Sequence, residues 1–87
     1  MRYIIDGQYF TDKEQSFTYL QDTLELPPYM GHNLDGLWDV LLDKDYLEIT
    51  LINGRLLLDN LGEYGRQFLD LLGDLNFEED KEVIIYW

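Results

Sequence analysis

The chain reads as an α/β fold, a three-stranded parallel sheet packed with about four helices, in one domain spanning residues 1–87. Three observations predict it. Tyr3-Ile4-Ile5, Tyr46 to Ile52 and Val83-Ile84-Ile85-Tyr86-Trp87 are short runs rich in β-branched and aromatic residues. The long stretches between them carry apolar residues at helical spacing. Connections of that length suit crossovers between parallel neighbours, because antiparallel neighbours can be joined by a tight turn.

Tyr3-Ile4-Ile5, ended by Asp6-Gly7, predicts a buried strand closed by a turn. Thr11 followed three residues later by Glu14 fits a capping box, so a helix is expected to start near Asp12 with Phe17, Leu20 and Leu24 on its inner face. Pro27 and Pro28 hold the next stretch out of helical geometry, Gly31 permits a positive φ, and Asn33 can cap a helix beginning at Leu34. Asp43-Lys44-Asp45 is a polar connection to the second strand, in which Leu47, Ile49 and Leu51 alternate with Glu48 and Thr50. Asn53-Gly54 is a turn signal, but Arg55-Leu56-Leu57-Leu58 is a run of helix formers and not a returning strand; Gly62 ends it. Tyr64 to Leu75 predicts a longer helix with Phe68, Leu71, Leu72 and Leu75 inward. Glu78-Glu79-Asp80 is an acidic loop before the last strand, Val83 to Trp87.

With 87 residues a single core is feasible, and 46% hydrophobic and 15% aromatic residues argue for packing over disorder. There is no cysteine, hence no disulfide framework and no thiolate chemistry. The N-terminal stretch lacks the long apolar run of a signal peptide, and no segment approaches a membrane span, so a cytoplasmic protein is expected. Eighteen Asp and Glu stand against 6 Lys and Arg, a formal net charge of −12. Such a field repels nucleic acid and anionic membranes and attracts a basic partner. Between Lys13 and Lys44 there is no Lys or Arg, while Glu14, Asp22, Glu25, Asp35, Asp39 and Asp43 all fall there.

The stretch from Leu26 to Leu41 organises the rest. At about 100° per residue, Leu34, Leu37, Trp38 and Leu41 share one stripe, and Asp35, Asp39 and Asp43 form a ridge on a different flank. Like charges four residues apart oppose each other, and Asp43 also meets the negative end of the helix dipole. A solvated acidic face is the plain explanation of such a run. The loop, however, delivers Tyr29, His32 and Asn33 beside it, bringing an aromatic ring with hydrogen-bonding groups to one edge.

The run Leu-Pro-x-Tyr-x-Gly-x-Asn-Leu-Asp-x-Leu-Trp-Asp-x-Leu from Leu26 to Leu41 resembles the signature of the barstar family, inhibitors of barnase-like microbial ribonucleases. The resemblance implies a partner, a small basic ribonuclease bound one to one, whose active site is plugged by carboxylates standing in for RNA phosphates. It implies that Asp39 is the central anchor and Asp35 its support, that Tyr29 is an aromatic contact, that Gly31 allows close backbone approach, and that Asn33 and Leu34 shape the loop edge. Trp38 lies at the edge of the stripe, where core packing and partner contact both stay open. Counting from the Phe that the family shares, here Phe68, the long helix is expected to contribute Asp70, with Asp74 one turn later. The chain departs from the family at His32, where an acidic residue is common, at Asp43-Lys44-Asp45, which replaces an aromatic, and in the longer stretch from Asn76 to Glu82.

Other chemistries have less behind them. One histidine among scattered carboxylates makes a poor Zn²⁺ site, and no Ca²⁺ loop spacing is present, so neither metal nor cofactor is expected. Asp35 and Asp39 as an acid–base pair would need a cleft that a convex helix does not offer. No phosphate-cradling glycine loop occurs. An acidic adaptor binding a basic protein other than a nuclease is the alternative; an enzyme ranks last.

Overall fold

The computed structural model describes residues 1–87. In chain order it contains β1 (Arg2–Asp6), α1 (Lys13–Thr23), α2 (Leu34–Asp43), β2 (Leu47–Ile52), α3 (Arg55–Leu61), α4 (Glu63–Leu75) and β3 (Lys81–Ile85), with short 3-10 turns at Gly7–Tyr9 and Pro28–Met30. The sheet has the order β1-β2-β3 and both pairings are parallel, with Tyr3, Ile49 and Val83 in one row and Ile5, Leu51 and Ile85 in the next. The predicted architecture of three parallel strands and four α-helices is the one observed.

The core gathers on one face of this sheet. Ile5, Leu47, Ile49, Leu51 and Val83 point into a cluster with Phe10, Phe17, Leu20, Leu24, Leu37, Leu41, Leu57, Phe68, Leu72 and Leu75. At its centre Phe68 meets three rings at once: Phe17 at 5.1 Å, Tyr64 at 5.3 Å and Phe10 at 5.6 Å between centroids. The opposite face carries Arg2, Ile4, Glu48, Thr50, Glu82 and Ile84 around a shallow depression to which no helix contributes. The expectation of a buried first strand is therefore corrected: Ile5 is fully covered, but Ile4 is 67% exposed, because alternate residues of β1 face the uncovered side.

Three element boundaries also differ from expectation. The N-cap of α1 is Asp12, not Thr11. The Asp12 carboxylate accepts from the Gln15 N–H at 2.8 Å and places a full negative charge at the positive end of the helix dipole. Tyr46 lies outside β2 because its φ of 42° is incompatible with an extended strand. β3 begins at Lys81 and ends at Ile85, two residues earlier at each end than predicted, since its ladder stops where β2 turns into α3. Lys81 can start a strand on the core side because its aliphatic stem is covered while its ammonium reaches Asp80, and that ammonium holds the Asp80 carboxyl below the usual carboxylate range. In α4, Leu69 joins the buried set and Leu71 is only half-buried.

The helical glycines separate into two kinds. A Cβ on Gly65 would stand 1.9 Å from the Leu57 carbonyl oxygen, so α3 and α4 approach through that position. A Cβ on Gly73, in the interior of α4, would meet nothing within 4 Å. Gly73→Ala is accordingly expected to stabilise the protein by about 0.5–1 kcal/mol, as a higher midpoint in urea at unchanged slope. A lowered midpoint would mean that α4 requires glycine there for a reason other than space.

Candidate functional site

The ridge of acids owes its position to the way the preceding loop is folded. α1 stops when the Leu26 N–H donates to the Gln21 carbonyl at 2.9 Å while Glu25 takes φ 54°, a left-handed stop usually given to glycine. Pro27 and the 3-10 turn Pro28–Met30 then carry the chain out, leaving Tyr29 76% exposed and Met30 buried. Gly31 has φ 73°, the conformation for which glycine is needed, and Asn33 caps α2 by accepting from the Gly36 N–H at 2.6 Å. His32 turns towards α1: Nδ1 lies 2.7 Å from Glu14 Oε2, Nε2 lies 3.3 Å from Gln21 Oε1, and the ring stacks on Phe17 at 5.6 Å. Its role is to brace the loop, and Glu14, expected in a capping box, serves that brace.

Gly36 fixes how near the loop lies to α2. A Cβ there would fall 2.0 Å from the Met30 carbonyl oxygen. Alanine would gain up to about 1 kcal/mol in helix propensity, but a backbone clash of this kind costs about 1–3 kcal/mol, so the clash wins. Gly36→Ala is expected to lower the urea midpoint and to displace Tyr29 and Gly31; a midpoint that rises as for Gly73→Ala would contradict this geometry.

With Leu37 and Leu41 buried, the helical wheel puts Asp39 about 160° from both, almost directly outward. Two grooves flank it. One, of about 290 Å³ between α2 and α4, has a floor of Leu34, Trp38 and Leu71 and a rim of Asp35, Asp70, Asp74 and Gln67. Trp38 and Leu34 both pack against the core and line this groove, so the two roles left open for Trp38 are compatible. The other, of about 280 Å³ between the loop and the end of α2, is lined by Glu25, Pro27, Tyr29, Val40, Asp43 and Lys44. Of the ridge and rim acids, Asp70 alone has a cation near it, Arg66 Nη1 at 4.0 Å; Asp35, Asp39, Asp43 and Asp74 have no ion-pair partner within the protein.

The nine residues singled out in the sequence, Tyr29, Gly31, Asn33, Leu34, Asp35, Trp38, Asp39, Asp70 and Asp74, thus lie along the loop, the outer side of α2 and the facing wall of α4. The sequence reading missed Gln67 and the groove position of Leu71, both within one turn of Asp70, and it missed the whole second groove. No group of three or more His, Cys, Asp or Glu residues is arranged to hold a metal ion, and no helix is long and apolar enough to cross a membrane.

A small α/β protein with a parallel sheet covered on one side, presenting a carboxylate-bearing helix and loop, is the class that fold and surface define. The family model described as Barstar (barnase inhibitor) matches residues 1–87, and the chain belongs to that family. It is similar to the Bacillus subtilis (strain 168) protein named "Putative ribonuclease inhibitor YrdF", at 36% identity over 77 residues that cover 86% of this chain and 85% of the relative.

Proposed function

We propose that this protein is a cytoplasmic, non-enzymatic inhibitor that binds a small basic ribonuclease one to one and occupies its active site with carboxylates in place of RNA phosphates. The observation that carries the reading is the position of Asp39, aimed away from the core between two grooves and without a cation of its own. A ribonuclease must hold phosphates with Arg, Lys and His. A carboxylate on a rigid helix can enter such a site and form charge-assisted hydrogen bonds there.

Asp35 supports Asp39 one turn away, at about 6 Å along the axis. Asp70 and Asp74 supply charge from the facing helix. Tyr29 offers a ring to the partner, and Gly31, Asn33 and Leu34 set the contour of the loop. Membership of a family of barnase inhibitors and similarity to a protein with a ribonuclease-inhibitor name support this assignment. The net charge of −12 supports steered association, for which the barnase–barstar pair is itself the standard illustration.

The test is titration of barnase with this protein while RNA cleavage is followed. Stoichiometric loss of cleavage, with an association rate that falls steeply as salt is added, is expected. If barnase and several similar nucleases all continue to cleave at full rate, the acidic surface serves a basic partner of another kind.

A further inference from the structure

We infer that the groove between the loop and the end of α2 receives one arginine side chain of the partner ribonuclease, laid against Tyr29 and held between Glu25 and Asp43. The inference rests on the inhibitor reading and adds a second cation-reading position beside Asp39. Its walls suit a guanidinium. Pro27, Tyr29 and Val40 supply apolar and aromatic surface for the stem and the flat head, while the two carboxylates offer acceptors. Tyr29 is 76% exposed and has no aromatic or cationic neighbour, so its face is free.

Lys44 is itself one of the residues lining the groove, but it leaves both carboxylates without an ion pair. Its ammonium extends over the Tyr3 ring at 5.8 Å. Glu25 is steadied from below by the Tyr3 hydroxyl, which donates to Oε2 at 2.9 Å; burial and this carboxylate push the Tyr3 hydroxyl above its ordinary pKa. Charge complementarity and continuity with Asp39, one residue before Val40 on the same helix, identify the occupant as a basic side chain of the same partner. Both acids are also poor choices for the free protein. Glu25 occupies a left-handed position where glycine is favoured, and Asp43 is the last residue of α2, at the negative end of the dipole.

That combination gives a discriminating experiment. Glu25→Gly and Asp43→Asn are each expected to weaken inhibition of barnase by at least about fivefold while leaving the unfolding midpoint unchanged or higher, with Asp59→Asn as the control of equal charge. Replacing each arginine of barnase by lysine, one at a time, should show both variants coupled to the same arginine. Full inhibition by Glu25→Gly and Asp43→Asn, with loss confined to Asp39→Ala, overturns the subsite and leaves the inhibitor reading standing. If the wild-type protein inhibits neither barnase nor several similar nucleases, that reading falls. The subsite is then decided on the free protein by titration with N-acetyl-arginine amide followed by amide chemical shifts. Shifts concentrated at Glu25, Tyr29 and Asp43, larger than those given by N-acetyl-lysine amide, support it. Shifts spread evenly over all surface acids overturn it.

Discussion

Asp39→Ala is expected to raise the dissociation constant for the inhibited ribonuclease by at least about 30-fold, or roughly 2 kcal/mol. Asp59→Ala, an acid on α3 away from the ridge, should change it by no more than about threefold, the range of a screened surface charge. The difference arises because Asp39 would be desolvated against the cations of the partner, whereas Asp59 keeps its water. Truncation leaves those cations buried and unpaired, and most of the loss should appear in the dissociation rate. Raising salt would slow association of both variants alike, since the long-range field is set by the total charge. Equal small losses for the two substitutions would mean that the acids act only as a diffuse field, without an anchor.

The largest effect on stability is expected at Phe68. Its ring is fully buried and touches Phe10, Phe17 and Tyr64, so Phe68→Ala removes a whole side chain and three aromatic contacts. A loss of about 3–5 kcal/mol is expected. That is a large part of the 5–15 kcal/mol that typically separates folded from unfolded domains, so the variant should be marginal at ambient temperature. Urea or thermal unfolding followed by tryptophan fluorescence measures it. Because Phe17 also stacks on His32 and Phe68 shares α4 with Asp70 and Leu71, affinity for the ribonuclease should fall with stability. Phe68→Leu, which keeps most of the volume, should lose less than half as much. A stable Phe68→Ala protein would show that the aromatic cluster can collapse into the space.

What the sequence discloses and what it conceals divide by the range of the interactions. The start of α2 could be read directly, because Pro27, Gly31, Asn33 and the stripe from Leu34 to Leu41 act on the backbone within a few residues. The alternation of Leu47, Ile49 and Leu51 was equally local, and the burial of β2 follows it. The exposure of Ile4 was not legible, since nothing near β1 tells which face of the sheet the helices will cover. The choice of Asp12 over Thr11 depended on two adjacent residues competing for one set of N–H groups.

In the site, the ridge of Asp35, Asp39 and Asp43 was visible as a helical period. The grooves on either side were not, because Asp70 meets Asp35, and Glu25 meets Asp43, only through tertiary packing. The positions of Asp70 and Asp74 came from resemblance to a family, not from periodicity.

The register of the sheet bears on how the molecule comes together. Arg2 pairs with Glu48 and Leu47 with Lys81, so neither strand pair can form until a long intervening segment has been drawn closed. The entropy of closing such loops is spent before the ladder returns anything, and folds built on distant pairings reach their native state in milliseconds to seconds, not microseconds. β2, with a neighbour on each side, is the strand on which both closures converge. α4 and the loop-capped α2 hold together through local hydrogen bonds and can form earlier. α2 would then exist as a transient structure before the sheet that anchors it, and refolding should show helical signal gained ahead of the fluorescence change that reports packing around Trp38.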